Sequence, residues 1–403
     1  MATSYRWFIL GLVVLTATVV VAAPLMALPV LFKEISTELG MDLVQIGFIG
    51  TMSALTGIVV GLLGGAIGDR FGPRRTLALA CVLTGLTGAL RGLSGGFVAL
   101  LATTFLFGLV QPVISINLSK TCAVWFAARE RGTANGGVSV GMALGFLLGS
   151  LLSATVLSPL LGGWRNVLFA FGLLACLFGV AWFLTRSPAE SLGRGAPRIP
   201  LRAGLRHVMG LRSMWVMGLA AVGYGGCVNA MLSYLPLYLR NIGWTPASAD
   251  TTVATFHAVS LCGAIPIAML SDRLRRRRVF LLLGALVMLV GVGALGVVTG
   301  AAIVAAVLLA GFMRDGFMAV FMTSVMETPG VGLAYAGSGI GFAQVFFALG
   351  NTFASPLGNS LAAAGPSVPF LFWALLAAIG FGAFALLQVP PPVAHLSPAA
   401  AAE

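Results

Sequence analysis

Residues 65–75 read GAIGDRFGPRR, and residues 268–278 read AMLSDRLRRRR. Each segment follows a long apolar run, and the two aspartates, Asp69 and Asp272, are 203 residues apart. The same offset separates two further pairs, Gly40 from Gly243 and Gly108 from Gly311. A repeat that stays in register at three places predicts two copies of one unit, arranged in parallel about a shared axis.

The composition indicates that both copies lie in a membrane. The chain has 403 residues, of which 59% are hydrophobic and 8% charged, and its mean hydropathy is +1.03. A soluble domain carries about 25% charged residues, so that class is excluded. Apolar runs of the length that a membrane-spanning helix needs, roughly 20 residues, recur along the chain and predict twelve spans. In order, these are Trp7 to Phe32, Val44 to Ile67, Thr76 to Leu93, Phe97 to Phe126, Ala134 to Leu157, Trp164 to Leu184, Met214 to Leu239, Ala247 to Leu270, Val279 to Val298, Ala301 to Met326, Tyr335 to Leu361, and Val368 to Leu387. The 53 glycines suit close packing between such helices.

The positions of the basic residues predict the orientation. Of the 23 lysines and arginines, seventeen fall in loops on one side of the predicted bundle, which we call the basic end. Because cytoplasmic loops carry the excess of basic residues, both termini are predicted to be cytoplasmic. The net charge of +12 is therefore a topology signal, and we expect no nucleic acid partner. Of the other six, four are assigned to the opposite side, namely Lys33, Arg91, Arg165 and Arg240, and two lie within spans, namely Lys120 and Arg314.

A basic loop rich in proline and glycine divides the spans into six and six. We predict an amino-terminal half over residues 1–188, a cytoplasmic basic linker over 189–212 and a carboxy-terminal half over 213–389. Residues 390–403, which begin with three prolines and continue with alanines, are expected to be a disordered tail.

Together these motifs resemble the major facilitator superfamily. Residues 65–75 match its loop signature G-x3-D-R-x-G-x-R-R, and the second copy is degenerate, as it is in that family. Residues 125–134, WFAARERGTA, and residues 163–165, GWR, are similar to the family as well. The resemblance implies an all-α membrane protein with twelve helices in two pseudo-symmetric halves. It also implies that spans 1, 4, 7 and 10 line the cavity.

Two charges lie near the middle of span 10, Arg314 and Asp315. A charged side chain at the bilayer centre costs about 2.5–3.5 kcal/mol on insertion scales, so these two need a reason to be there. Adjacent residues on a helix point about 100° apart and do not face each other, which disfavours a self-neutralising pair. We expect Arg314 to bind an anion and Asp315 to serve as a partner or a proton site.

Other polar residues follow helical spacing in the cavity-lining spans. Asn117 and Lys120 share a face of span 4, although Lys120 could instead extend to the membrane surface. Gln111 occupies the repeat position of Arg314. The remaining predicted substrate contacts are Tyr224, Asn229 and Tyr234, with Ser233 and Tyr238 beside them in span 7, and Gln344 and Asn351 in span 11. Hydrogen bonding between helices is the alternative role for this set.

His257, in span 8, is the second candidate for a proton site, since histidine titrates near physiological pH. A neutral histidine bonded to a neighbouring helix is the alternative. The family resemblance implies that charges at the basic end form gates between the halves. The predicted gate residues are Asp69, Arg70, Arg74, Asp272, Arg273 and Glu327. The glycines of span 5, at 137, 141, 145 and 149, are expected to pack between the halves.

These features favour a secondary transporter over an enzyme. The chain has no Gly-Lys-Ser/Thr sequence for ATP and no pattern of catalytic or metal-binding residues, so neither a cofactor nor a metal is expected. Lys120, Arg314 and Asp315 give the interior one net positive charge, which an anionic substrate would neutralise. We therefore predict proton-coupled transport of a small, monocarboxylate-like anion across the inner membrane by a monomer.

Two other functions stay open at this stage. Efflux of an amphiphilic or cationic compound is the main alternative, with Asp315 attracting the cation and neighbouring Phe312, Met313, Phe317 and Met318 adapting to it. A receptor that transports nothing is disfavoured, because it would not need charges at the membrane midplane. Nitrate transport of the family's type is also disfavoured, because neither span 2 nor span 8 carries a buried arginine.

Overall fold

A computed structural model describes residues 3–126, 130–186, 201–274 and 276–387. Within these residues the chain forms twelve helical rods. They are α1, in three consecutive segments (Thr3–Thr16, Ala17–Ala22, Ala23–Leu39), α2 (Leu43–Phe71), α3 (Pro73–Gly92), α4 (Phe97–Trp125), α5, in three segments (Arg131–Leu152, Ser153–Leu157, Ser158–Leu161), α6 (Trp164–Leu184), α7 (Arg212–Asn241), α8 (Pro246–Leu274), α9 (Arg277–Leu295), α10, in two segments (Ala302–Phe312, Arg314–Glu327), α11 (Gly332–Ser360) and α12 (Val368–Leu386).

The turns between rods follow from local sequence. Gly40 ends α1 with a φ of 62°, and Gly243 follows α7 with a φ of 92°. Both angles lie in the left-handed region that glycine adopts without a steric penalty, and the two glycines occupy equivalent repeat positions. Asp42 then starts α2 as a capping box: its side chain accepts from the Gln45 backbone N–H at 2.8 Å, and its own N–H donates to the Gln45 side chain at 3.2 Å.

Helix packing has the two-fold pseudo-symmetry that the repeat predicts. In the first half α3 packs on α6 and α2 on α4, and in the second half α9 packs on α12 and α8 on α10. The halves meet where α2 packs on α11 and α5 packs on α8. Helix α2 corresponds to α8 in the repeat, and α5 corresponds to α11, so these two interfaces are equivalent by the pseudo-symmetry. The architecture is therefore two equivalent six-helix units facing each other.

The glycines of α5 pack within the first half, and the prediction that they lie between the halves is wrong. A Cβ on Gly141 would lie 2.6 Å from the Val14 carbonyl oxygen, and one on Gly145 would lie 2.4 Å from the Thr18 carbonyl oxygen. The Thr18 hydroxyl also donates to the Gly141 carbonyl oxygen at 2.9 Å. Small residues let two backbones approach, but spacing alone did not reveal that the partner is α1.

The chain is a multi-pass membrane protein. Within the described residues, ten helices are long and apolar enough to cross a membrane. Only a shorter apolar stretch, Leu43–Gly57, is found in α2, and α3 carries three arginines at positions 74, 75 and 91. The predicted linker contains a further helix, Leu201–Met209, which packs against α11. The predicted disordered tail lies outside the described residues.

Hydrogen bonds join the halves at the end opposite the basic loops. There Lys33 donates to the Asn241 side-chain oxygen at 2.6 Å, and the Asn359 amide donates to the Leu43 carbonyl oxygen at 2.7 Å. The helices also approach closely at this end, since a Cβ on Gly47 of α2 would lie 2.9 Å from the Pro356 backbone of α11. The halves are therefore in close contact on this side of the bundle.

Candidate substrate cavity

A cavity of about 330 Å³ lies between the halves. Residues of α1 to α5 line one side, and residues of α7, α10 and α11 line the other. This volume is at the lower end of the range for small-molecule sites, about 300–1,000 Å³. The polar residues in its lining are Arg91, Gln111, Tyr224, Asn229, Ser233, Arg314, Gln344 and Asn351. The space suits a small molecule in contact with both halves.

Arg314 and Asp315 form an ion pair, contrary to the expectation that neighbours on a helix do not meet. The Arg314 Nη1 atom donates to the Asp315 Oδ1 atom at 2.6 Å. The physical reason is a break in α10 at Met313, where one segment ends and the next begins at Arg314. Asp315 lies in the first turn of the second segment, and the long arginine side chain is flexible enough to reach back to it.

The break also explains how Asp315 is held in place. The first backbone N–H groups of a helix have no partner within that helix, and the Asp315 N–H donates to the Ser260 hydroxyl of α8 at 3.1 Å. A carboxylate near a helix N-terminus is stabilised by the helix dipole. On the other side of the pair, the guanidinium carbon of Arg314 lies 5.7 Å from the centroid of the Phe146 ring, in α5. The pair therefore contacts both halves.

The predicted substrate residues divide into two groups. Arg314, Gln111, Tyr224, Asn229, Gln344 and Asn351 line the cavity, as does Ser233. The Tyr224 ring stacks on Phe317 with centroids 3.7 Å apart. Among the described residues, no hydrogen-bond partner reaches the buried Tyr224 hydroxyl. The structure therefore brings six of the nine predicted substrate residues to one space.

The other three do not belong to the lining as the structure describes it. Asn117 is fully buried in α4, and its amide donates to the Val113 carbonyl oxygen one turn earlier at 2.8 Å. Tyr234 donates to the Pro366 carbonyl oxygen at 3.1 Å and packs against Trp373 and Phe370, away from the cavity. Lys120 is half-buried in the last turns of α4.

Of the two proton candidates, Asp315 pairs with the lining residue Arg314, whereas His257 is buried behind the cavity wall. The His257 ring lies 5.4 Å from that of Phe146, which does line the cavity. Its Nε2 atom has no hydrogen-bond partner among the described residues. The bond to a neighbouring helix, offered as the alternative role of this histidine, is thus not made through Nε2.

The predicted gate residues lie at the basic end. Glu327 accepts from Arg277 at 3.1 Å, and this pair joins α10 to α9 inside the second half. Arg74 donates to the Phe183 carbonyl oxygen of α6 inside the first half. Arg273 is exposed. Asp69, Arg70 and Asp272 lie in the last turns of α2 and α8, and their side chains are outside what the structure describes.

Arg91 is a cavity residue that sequence reasoning missed, because the charge pattern predicts only that it lies on the side opposite the basic loops. It lies in the last turn of α3, is only 2% exposed and lines the cavity. Its guanidinium carbon is 3.9 Å from the centroid of the Phe107 ring in α4. The signal available in the sequence was the positive charge of Arg91 at the end opposite the basic loops. Basic residues concentrate in cytoplasmic loops, so a basic residue at the other end is an exception that needs an explanation.

Comparisons with known proteins agree with this architecture. A family model of the Major Facilitator Superfamily matches residues 13–249 and 239–403. The chain is 29% identical over 285 residues to a protein named probable nitrate/nitrite antiporter NarK1 from Thermus thermophilus; the match covers 68% of this chain and 63% of that relative. It is 26% identical over 373 residues to multidrug resistance protein MdtH of Salmonella paratyphi B, covering 89% and 88% of the two chains.

Among solved structures, the fold matches a bacterial homolog of the human lysosomal transporter Spinster, in an inward-facing and unoccupied conformation. The TM-score is 0.75 at 16% identity, and the match covers 96% of this chain and 95% of that one. The family match shows that the chain is not an enzyme. One relative is named for an inorganic anion and another for multidrug resistance. The names of the relatives therefore do not distinguish an anionic substrate from a drug-like one, and the residues of the cavity are the evidence for choosing between them.

Proposed function

Because the chain belongs to the Major Facilitator Superfamily, we propose that it is a secondary transporter for a small organic anion of the monocarboxylate class. The observation that carries the proposal is the cavity between the halves, with the Arg314 guanidinium in its wall. A site that touches both halves can be exposed to either side as the halves rock. The basic end is the cytoplasmic side, and the protein works as a monomer in the inner membrane.

Arg314 binds the substrate carboxylate in this proposal, and its pairing with Asp315 supplies the coupling. Substrate and Asp315 compete for one guanidinium, at 2.6 Å from the aspartate in the free site. Protonation of Asp315 weakens its hold on Arg314 and favours the substrate, so proton binding and anion binding assist each other reciprocally. His257, next to Phe146, is the alternative proton site.

The other predicted site residues have supporting roles in this proposal. Gln111, Tyr224, Asn229, Gln344 and Asn351 offer neutral hydrogen-bonding groups around the anion. Asn117, Lys120 and Tyr234 are substrate contacts only if the wall rearranges during transport. The gate residues at the basic end, Asp69, Arg70, Arg74, Asp272, Arg273 and Glu327, act when that end closes.

The test is uptake of radiolabelled lactate and benzoate into proteoliposomes under an inward proton gradient, with protein-free liposomes as the blank. Arg314→Gln removes a charge-assisted hydrogen bond, which is worth about 1.5–3 kcal/mol, so uptake should fall by roughly 10- to 100-fold. Arg165→Gln is the matched control, since that arginine lies outside the cavity in a partly exposed pair with Glu38. Full uptake by Arg314→Gln would overturn the proposal.

Efflux of an amphiphilic cation is the second candidate, favoured by the aromatic and methionine residues in the wall. Met26, Phe146, Met318 and Phe347 all line the cavity, and methionine surfaces adapt to varied ligands. In that case Asp315→Asn should abolish export of a lipophilic cation such as tetraphenylphosphonium, while neither lactate nor benzoate is taken up by the unaltered protein.

A further inference from the structure

Arg91 is a buried charge that the Arg314–Asp315 pair leaves unexplained. Its Nε atom donates weakly to the Gly88 carbonyl oxygen, at 3.4 Å, in the same helix. Apart from this bond and the Phe107 ring, the Arg91 side chain has no hydrogen bond, ion pair or ring contact within the part of the chain that the structure describes. Removing a charge from water without a partner is costly. Arg91 is a residue only 2% exposed, and its charge therefore calls for an anion.

The other basic residues at this end of the bundle each have a hydrogen-bonding or ion-pair partner. Lys33 donates to the Asn241 side chain at 2.6 Å, and Arg165 pairs with Glu38 at 2.9 Å. Arg240 pairs with the buried carboxylate of Asp250. Each of the three has a side-chain oxygen as its partner, and Arg91 does not. Unlike them, Arg91 lines the cavity.

The residues around Arg91 hold its guanidinium in an orientation that suits anion binding. The Phe107 ring, 3.9 Å away, holds the cation by a cation–π contact. A planar guanidinium fixed on a ring keeps its N–H donors in one plane, and that fork matches the two oxygens of a planar anion.

We propose that Arg91 is a second anion-binding residue of the cavity and that it holds the carboxylate of a small monoanion, together with Arg314, by a two-point hydrogen bond. The inference rests on the proposed transport function and adds a residue of the amino-terminal half to the one that binds the carboxylate there. Arg314 and Asp315 neutralise each other, so Arg91 supplies the net positive charge of the lining, and one negative charge balances it.

The shape of the cavity favours an organic monoanion over an inorganic one. Leu25, Leu28, Val228, Leu232 and Phe347 contribute apolar surface to the wall, which a carboxylic acid with a hydrocarbon or aromatic body covers and nitrate does not. Nitrate is also planar and singly charged, so Arg91 could bind it in the same way. Separate measurements of the affinity for an organic carboxylate and for nitrate distinguish these two ligands.

The experiment is calorimetric titration of the purified full chain in detergent with benzoate and, separately, with nitrate. For Arg91→Gln we expect benzoate affinity to fall by about 10- to 100-fold, the equivalent of one or two charge-assisted hydrogen bonds. Arg91→Lys keeps the charge but loses the planar fork, so it should recover only part of the affinity. Phe107→Leu removes the ring beneath the cation and should weaken binding less than Arg91→Gln.

Two controls, a variant outside the cavity and a measurement of folding, accompany the titrations. Arg165→Gln should bind benzoate as the unaltered protein does, and thermal unfolding of every variant checks that it is folded. If Arg91→Gln does not fold, the folded Arg91→Lys and Phe107→Leu variants decide, and unchanged affinity in both overturns the inference. Nitrate binding tighter than benzoate binding would overturn the organic-anion assignment.

Separate failures are distinguishable. If Arg314→Gln abolishes benzoate binding while Arg91→Gln leaves it unchanged, the role of Arg91 is wrong and the proposed function stands. If neither anion binds and tetraphenylphosphonium does, the proposed function itself is wrong.

Discussion

The two ends of the helix bundle hold their charges in different ways. At the end opposite the basic loops, Asp250 of α8 is fully buried, accepts from Thr155 of α5 at 2.5 Å and pairs with Arg240 of α7. Arg240 also donates to the Val30 carbonyl oxygen of α1. At the basic end, Arg6 pairs with Glu130 at 3.0 Å and Arg277 pairs with Glu327 at 3.1 Å.

The difference lies in which helices these contacts join. The Asp250 cluster, formed by Thr155, Arg240, Asp250 and Val30, connects the first half to the second. At the basic end, each of the two ion pairs that the structure describes joins helices of a single half. Buried contacts that cross between halves hold one end together, whereas contacts within a half leave the two units free to separate. In this conformation the cluster is therefore a structural tie between the halves, in addition to the Lys33–Asn241 and Asn359–Leu43 bonds, and the following three variants test that difference.

The largest effect is expected for Asp250→Ala. The substitution leaves the Arg240 guanidinium, whose side chain is 7% exposed, without its carboxylate, and breaking a buried pair costs about 3–5 kcal/mol. The measurements are thermal unfolding in detergent and the distance between spin labels placed at Lys33 and Asn241, which should lengthen. Asp42→Ala, which removes only a helix cap worth about 1 kcal/mol, is the control. Equal loss of stability in the two variants would contradict the tie.

A smaller effect is expected for Thr155→Val. This change removes one hydroxyl that donates to the Asp250 carboxylate at 2.5 Å but keeps the shape of the side chain and the pair with Arg240. Hydrogen bonds to charged groups contribute about 1.5–3 kcal/mol, so the stability loss should lie below that of Asp250→Ala. Thr155→Ser should restore the bond and most of the stability. A valine variant as stable as the parent would show that the bond from α5 contributes nothing.

The smallest effect is expected for Glu327→Gln at the basic end. Its side chain is 51% exposed, and exposed ion pairs contribute about 0–1 kcal/mol. Thermal unfolding should therefore differ little from that of the unaltered protein, and the Lys33–Asn241 label distance should not change. A loss as large as that of Asp250→Ala would mean that the two ends are tied equally strongly.

Sequence reasoning reached the fold because its signals are local. Span length and the loop signature can each be recognised within a short stretch of sequence. The repeat at 203 residues is found by comparing short stretches of that kind. Together these features predicted two six-helix halves. The same reasoning selected Arg314 and Asp315, because a charge in an apolar run is visible without knowing its neighbours. It failed on their mutual contact, since the break at Met313 has no clear sequence signal.

Sites formed between distant segments were harder to predict. The Gly141 and Gly145 contacts with α1, and the place of Arg91 over Phe107, depend on which helices become neighbours. Helical spacing shows which residues share a face, but it does not show what that face meets. For the same reason Asn117 and Tyr234, chosen by type and spacing, turned out to bond to nearby backbone.

By itself the sequence determined the membrane environment, the number of helices, their duplication and the short supply of interior charges, because hydropathy and spacing are properties of the chain. Only the tertiary structure decided which of those charges neutralise one another. Ion pairing depends on distances of a few ångströms between side chains. Those distances are set by the packing of α3 on α4 and by the break in α10, and they leave the cavity residue Arg91 without a carboxylate partner among the residues that the structure describes.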